Sequence, residues 1–328
     1  MAIEQHYRPE GRALDPNSAK HVDWATGKTP IEALVGGPHG TELFLAANGP
    51  PRIPGQPVVV FEAGVGACSS NWGPVRRLLD PRIRSALAGE LLDLLVSAGV
   101  HPPYVLVAHS FGAMVAREAV ALLGSDDVAG LVLVDGNQEK THKVLREPLE
   151  PLASVAGPKM LALLDESGLL AGGEHYTANE LQRLASDAER ESKIDTSSTE
   201  AAQLEASSES LARKGQLETM ALGMQPVTVI RGGTKRDYQR VIAAIQRSEL
   251  DIEGRQVLER LHAFVEKDLD RVDDDLQREQ MRLSANSRFV RAMESGHAVI
   301  ATEPQLVAGV YLKKGADNNA LPHENHLK

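Results

Sequence analysis

Two runs, 103–109 (PYVLVAH) and 129–136 (AGLVLVDG), are apolar at nearly every position rather than at every second one. A strand of that kind has to bury both of its faces, and a mostly parallel sheet covered by helices on both sides is the arrangement that does so. The flanking sequence agrees. TELFLAANG (41–49) and QPVVVFEAG (56–64) are further predicted strands, each ending at turn-forming residues. WGPVRRLL (72–79) and IRSALAGELLDLLVSAG (83–99) carry helical spacing, the second with Ile83, Leu87, Leu91 and Leu94 or Leu95 on one face. Strands alternating with helices predict an α/β chain with a mostly parallel, twisted sheet.

The alternation sets the expected domain plan. Residues 1–35 are polar and rich in turn-formers and read as an extended lead-in, with the core over 36–136 and 225–316. Between these, 137–224 is almost wholly helix-forming, which predicts a helical cap or lid. Thr177 and Glu180 form a capping box at the start of one of its helices. The stretch 194–210 (IDTSSTEAAQLEASSES) has so few large apolar residues that it is expected to be exposed or mobile.

The sheet resumes at QPVTVIRGG (225–233). A second helical insertion over about 238–283 spaces Leu261, Val265, Leu269, Val272 and Leu276 as one buried stripe. Its run Asp273, Asp274, Asp275 reads as a solvated helix face, because no glycine-bearing calcium loop surrounds it. A last strand in NSRFVRAMESGH (286–297), a closing helix in EPQLVAGVYLKK (303–314) and a tail over 317–328 complete the chain.

With 328 residues, 42% of them hydrophobic, the chain can bury a full core. A net charge of −10 without any basic stripe argues against nucleic acid or an anionic membrane surface as partner, and for a small-molecule substrate. The first twenty residues lack the basic start and apolar run of a secretory signal, and no stretch approaches the 18 apolar residues of a spanning helix. Cys68 is the single cysteine, so neither an intrachain disulfide nor a cysteine-based zinc site can form. A reducing, cytoplasmic location is expected. GVGACSS (64–70) lacks the third glycine of a dinucleotide loop, and GKT (27–29) lacks the glycine and strand of a phosphate loop. No cofactor and no metal are expected.

The stretch 105–116 (VLVAHSFGAMVA) places Ser110 where a strand turns directly into a helix. Such a turn needs small residues two positions to either side, here Ala108 and Gly112, and it aims the first helical N–H groups at the serine hydroxyl. With these residues the chain resembles the α/β-hydrolase family, in its members that read GHSxGG or AHSxGG after the fifth strand. The resemblance runs from about 41 to 314. It implies an α/β-hydrolase sheet with a helical cap and Ser110 as nucleophile. ESGHAVIATEP (294–304) is similar to the family's SGHxxxxxxP ending, which implies His297 as the base. FEAGVGACSSNW (61–72) looks like the loop after the third strand, and by this resemblance the N–H groups of Val65 and Phe111 form the oxyanion hole.

The acid has two candidates. Asp135, at the tip of the strand beside the one that carries Ser110, is favoured; Asp237, later and behind two basic residues, is the alternative. His109 is expected to pack or make a local hydrogen bond, Trp72 to lie in the core or the pocket wall, and His142 and His175 to be solvent-exposed. The activity implied is hydrolysis of a small ester, thioester or lactone through an acyl-enzyme. A non-hydrolytic cyclase or lyase and a disabled binding protein stay open as alternatives.

One departure from the family stands out. Where its members carry a fourth strand, this chain shows only DPR (80–82) between two helical patterns. In the family order 1-2-4-3-5-6-7-8 that loss leaves the third strand with an open edge or forces the second strand to pair with it directly, and it puts the Val65 loop, and so the oxyanion hole, at risk.

Overall fold

The computed structural model describes residues 24, 31–36, 42–79, 85–87, 91–146, 149, 151, 155, 173–194, 196–247 and 250–312. The expected tail 317–328, the lead-in before Trp24, the GKT segment and Ile83 lie outside the described residues.

Eight strands form one sheet in the order β1-β2-β4-β3-β5-β6-β7-β8. They are β1 (Ile31–Gly36), β2 (Glu42–Asn48), β3 (Val58–Glu62), β4 (Ser85–Leu87), β5 (Tyr104–His109), β6 (Val128–Val134), β7 (Val227–Arg231) and β8 (Ser287–Arg291). β4, β3, β5, β6, β7 and β8 run parallel, while β1 and β2 are antiparallel to each other and β2 to β4.

The double-sided apolar strands account for the layers. Side chains alternate across a strand, so Val60, Leu106, Leu131 and Val227, which lie side by side in register, all face one layer. There they pack against α2 (Leu91–Ser97) and α3 (Gly112–Leu123), through Leu91, Leu94, Leu95, Ala116 and Val120. Val59, Phe61, Val107, Val132 and Ile230 face the other layer, against Trp72, Val75 of α1 (Gly73–Leu78), Val299, and Val307 of α10 (Pro304–Leu312). Each fully buried aliphatic or aromatic side chain of this kind contributes about 1.5–3 kcal/mol.

Two expectations need correction. A fourth strand is present: Ser85–Leu87 pairs in parallel with β3, Val59 opposite Ser85 and Phe61 opposite Leu87, and on its other edge antiparallel with β2. It was illegible because Ser85–Leu87 is three residues long and embedded in helix-forming sequence. The ladder bonds offered by two waiting edges override that local preference. Among the described residues, the helix expected over 83–99 covers Leu91–Ser97. β3 therefore has a neighbour on each side, and the structural ground for expecting a disabled site falls away. The second correction concerns the lead-in, which already contains a strand: β1 begins at Ile31, with Ile31 opposite Ala47.

Between β6 and β7 the described residues are largely helical: α4 (Ala178–Ile194), α5 (Thr196–Ala202) and α6 (Leu204–Arg213), with single turns besides. The Thr177–Glu180 capping box is formed, since the Thr177 N–H donates to Glu180 at 2.8 Å and the Glu180 N–H to the Thr177 hydroxyl at 3.3 Å. Between β7 and β8 lie α7 (Thr234–Gln246), α8 (Ile252–Phe264) and α9 (Asp270–Glu279), with a π-helical stretch, Val265–Leu269, joining the last two. Leu261, Val265 and Leu269 are buried against Val241 and Ile245 of α7. No described helix is long and apolar enough to cross a membrane.

The aspartate run on α9 is also more than a solvated face. Arg231, at the end of β7, is buried and donates from Nε to Asp273 at 2.7 Å, from one terminal nitrogen to Asp274 at 3.2 Å, and from the other to Asp270 at 2.6 Å. Within the run 273–275, Asp275 is the exposed member. Asp273→Ala removes one of three carboxylates around Arg231 and leaves Asp270 and Asp274 in place, so it is expected to lower the unfolding free energy by about 1–3 kcal/mol at pH 7. Asp275→Ala should stay within about 0.5 kcal/mol of the parent, both read from urea titrations.

Candidate active site

β5 ends at His109 and α3 starts at Gly112, leaving two residues for the reversal. Ser110 takes it up with a φ of 56°, a left-handed conformation that costs a non-glycine residue energy and persists only where the surroundings enforce it. The surroundings do so on both sides. The Ser110 N–H donates to the Val134 carbonyl at 3.1 Å, and the Ser110 carbonyl accepts from the N–H groups of Ala113 at 3.1 Å and Asn137 at 2.9 Å. Gly112 lets α3 begin directly on the end of β3, since a Cβ there would stand 2.3 Å from the Ala63 carbonyl oxygen.

At the neighbouring strand tip Asp135 repeats the pattern, with a φ of 43° and its N–H donating to the Ile230 carbonyl at 2.7 Å. Its carboxylate is fully engaged. Oδ1 accepts the Gly232 N–H at 2.8 Å, and Oδ2 accepts the Thr234 hydroxyl at 3.0 Å and lies 2.6 Å from His297 Nδ1. His297 Nε2 is in turn 3.0 Å from Ser110 Oγ. A carboxylate only accepts, so Nδ1 carries the proton and Nε2 is left to accept from the serine hydroxyl. Ser110, His297 and Asp135, distant in sequence, thus meet in one hydrogen-bonded line.

Asp237 comes to the same place for another purpose. From the first turn of α7 its Oδ2 accepts the backbone N–H of His297 at 2.7 Å, and its carboxyl packs so closely that a Cβ at Gly296 would lie 2.0 Å from its oxygens. It holds the loop, while Asp135 holds the ring. His109 makes a hydrogen bond that is not local: its Nε2 donates to the His297 carbonyl at 2.9 Å, and the two rings lie 4.7 Å apart between centroids. The imidazole of His297 is therefore located from its ring, its N–H and its carbonyl at once.

The electrostatics follow from this packing. Burial alone would depress the His297 imidazole, but the hydrogen bond and charge of Asp135, with Asp237 and Asp273 behind, outweigh burial and raise it above the ordinary histidine value. Asp135 is the mirror case: burial would raise it, yet the bond and charge of His297, together with the Gly232 N–H, hold it below the usual carboxylate range. His109 is pushed down to about 4, by burial first and then by the neighbouring His297 imidazole, so it is neutral at physiological pH.

The β3 loop runs alongside. Gly64 lies so close to Ser110 that a Cβ there would be 2.9 Å from its Cβ and 3.2 Å from its Oγ. Neither the Val65 N–H nor the Phe111 N–H has a hydrogen-bond partner among the described residues, so both can donate to an arriving group. A cavity of about 960 Å³ adjoins this loop. Its wall is made by residues flanking the serine, Gly64 and Phe111 among them, rather than by Ser110 or His297 themselves, and it extends to Asn179 and Arg183 of α4 and Glu200 of α5. Neither His142 nor His175 lines it; both are half-buried, where exposure was expected. Among the described residues no three His, Cys, Asp or Glu side chains are placed to hold a metal ion.

Sequence reading missed the loop-holding role of Asp237, the long-range bond of His109, and the contribution of α5, whose Glu200 accepts the Gly66 N–H at 2.9 Å. The glycine before His297 was a usable signal for the first. None existed for the last, because α5 has no distinguishing residue pattern. Asp237→Leu, which leaves the His297 N–H unpaired, is expected to lower stability by about 1–3 kcal/mol. Asp237→Asn keeps an acceptor and should stay within about 1 kcal/mol, both measured by chemical denaturation.

Comparison with known proteins agrees with this fold. The sequence profile of the alpha/beta hydrolase family matches residues 34–310. An AB hydrolase superfamily protein of Gibberella zeae (strain ATCC MYA-4620 / CBS 123657 / FGSC 9075 / NRRL 31084 / PH-1) is 34% identical over 296 residues, covering 81% of this chain and 88% of that protein. A probable transporter of Hormonema carpetanum, efuK, is 28% identical over 320 residues; these make up 88% of this chain but only 43% of that protein. Among solved structures, the esterase RhEst1 from Rhodococcus sp. ECU1013 superposes with a TM-score of 0.52 at 16% identity, over 85% of this chain and 96% of that one, a likeness of fold. Both the profile over most of the chain and the Gibberella relative lead to one conclusion: the chain belongs to the alpha/beta hydrolase family.

Proposed function

We propose that the protein is a serine hydrolase that cleaves a small ester, thioester or lactone through an acyl-enzyme. The observation that carries this reading is the unbroken relay from Ser110 Oγ to His297 Nε2 at 3.0 Å and from His297 Nδ1 to Asp135 at 2.6 Å. In this reading Ser110 attacks the carbonyl carbon as its proton passes to His297. The developing oxyanion takes hydrogen bonds from the Val65 and Phe111 N–H groups, which have no other partner among the described residues. His297 then returns the proton to the leaving alcohol or thiol, and a water, deprotonated by the same imidazole, releases the acyl group.

Asp135 keeps the ring in the tautomer whose Nε2 accepts, and stabilises the imidazolium once it forms. Asp237, spent on the backbone of residue 297, positions the base without touching its ring. The helical segment between β6 and β7 acts as the cap. It borders the cavity through Asn179, Arg183 and Glu200, and it is tied to the β3 side by the Tyr176 hydroxyl donating to the Asn71 carbonyl at 2.8 Å and by an Arg77–Glu180 ion pair. Substrate choice is assigned to this cap. The chemistry requires no cofactor and no metal.

A fluorophosphonate probe is expected to label the protein, and Ser110→Ala to abolish both labelling and turnover of p-nitrophenyl esters; full labelling of the Ala variant would refute the reading. Asp135→Asn should cost roughly 10³–10⁴-fold in kcat, by analogy with the triad aspartate of a well-studied serine protease. Asp237→Asn should cost less than about tenfold. The raised His297 sets the acid limb. The base works only when neutral, so kcat/KM should rise with pH through an ionisation above the ordinary histidine value of about 6.5. Removing the Asp135 charge should move that limb to lower pH.

A further inference from the structure

The loop that carries the Val65 N–H is held by the cap. It begins at Gly64, against Ser110, and turns at once: the Ala67 N–H donates to the Gly64 carbonyl at 3.1 Å, and Gly66 takes a φ of 64°. Such a turn has only its closing bond to fix it, and a glycine in the left-handed position lets the central peptide rotate at little cost. Support has to come from outside. Among the described residues, every hydrogen bond that residues 65–71 make beyond the segment 64–73 runs to the cap.

Asp187 and Tyr176 tie down the far end of the loop. One Asp187 oxygen, on α4, accepts the Ser70 hydroxyl at 2.6 Å and the Cys68 thiol at 3.1 Å, and the Tyr176 hydroxyl donates to the Asn71 carbonyl at 2.8 Å. Glu200 of α5 reaches the turn itself, accepting the Gly66 N–H at 2.9 Å. That N–H belongs to the central peptide of the turn, and the Val65 N–H lies on the peptide before it, so the conformation of one turn sets the direction of both. Gly66 is exposed, and a carboxylate holds its N–H more firmly than the water it would otherwise meet. Firmness matters here, because donors stabilise an oxyanion to the extent that they are fixed before it forms.

We propose that Glu200 is a positioning residue for the oxyanion hole: by holding the Gly66 N–H it fixes the turn that aims the Val65 N–H, so that the cap takes part in the chemical step as well as in substrate choice. The proposal deepens the hydrolase reading and rests on it. Its effect falls on the transition state, where the carbonyl oxygen carries charge, and little on binding of the neutral ester. The probes are 4-nitrophenyl hexanoate and its thiono analogue, O-(4-nitrophenyl) hexanethioate. Sulfur accepts hydrogen bonds poorly, so the thiono compound gains less from a well-aimed donor, and the ratio of kcat/KM for oxygen over sulfur reports the order of the hole.

Glu200→Ala is expected to lower kcat and kcat/KM for the oxygen ester together by about ten- to a hundredfold, less than outright loss of a donor costs, with KM changed by less than about threefold. Its oxygen-to-sulfur ratio should fall by about threefold or more. Glu200→Gln keeps an acceptor, so its kcat should stay within about threefold of the wild type and its ratio should be unchanged. Glu205→Ala, which removes an exposed carboxylate from α6, should match the wild type. Alanine preserves a helix at both positions, and far-ultraviolet circular dichroism checks the folding of each variant. An unchanged kcat in Glu200→Ala, a loss confined to KM, a lowered kcat with the oxygen preference intact, or a Gln variant as impaired as the Ala variant would each overturn the proposal. Fluorophosphonate labelling is read in parallel. A wild-type protein that neither labels nor turns over the ester defeats the hydrolase reading and this proposal with it, whereas a labelled, active wild type beside an indistinguishable Glu200→Ala defeats the proposal alone.

Discussion

The 2.6 Å hydrogen bond between the buried Asp135 carboxylate and the ring of His297 joins the end of β6 to the loop beyond β8. A buried carboxylate is tolerated only when its oxygens are fully engaged, and the rest of the architecture supplies the partners. β7 delivers the Gly232 N–H, the start of α7 delivers the Thr234 hydroxyl, and the loop after β8 delivers the imidazole. Parallel alignment makes this possible, because it brings the carboxyl ends of β5, β6 and β7 to one edge of the sheet. There Ser110 and Asp135 both leave their strands in the left-handed conformation.

That edge is held from behind by the second helical insertion. Gln277 and Gln280 both donate to the Gly136 carbonyl, at 3.0 and 2.9 Å, and Asp273 binds Arg231 at the end of β7. A set of helices that contributes no group to the Ser110–His297–Asp135 line thus determines where β6 and β7 place their tips. It does so with charged and amide groups because the adjoining backbone carbonyls and the Arg231 guanidinium must be satisfied in the dry interior. On the opposite flank the site is bordered by the β3 loop, and the pairing of β4 with β3 keeps that loop on a strand supported along both edges.

How much of this was legible depends on whether the signal was local. The elbow was, because a strand running into a helix around Ser110 tolerates only small residues such as Ala108 and Gly112, whatever the rest of the chain does. β3, β5, β6 and β7 were, because continuous apolar runs leave few alternatives. β4 was not: three residues with helical preference become a strand only when β2 and β3 are already there to pair with them. Nor could the two aspartates be separated, since both precede the histidine and both follow strands. Distances to two different atoms of His297, the ring nitrogen and the backbone N–H, tell them apart.

The amino-acid sequence by itself determined the fold class, the serine at the turn and the histidine after the last strand, because strand periodicity and turn sterics act over a few residues at a time. The tertiary structure alone decided which aspartate meets the imidazole, that β3 has a partner on its outer edge, and that Glu200 of the cap meets the Gly66 N–H. Each of these depends on groups far apart in the chain arriving within hydrogen-bonding or packing distance, and no local pattern of residue types encodes a distance across a sheet.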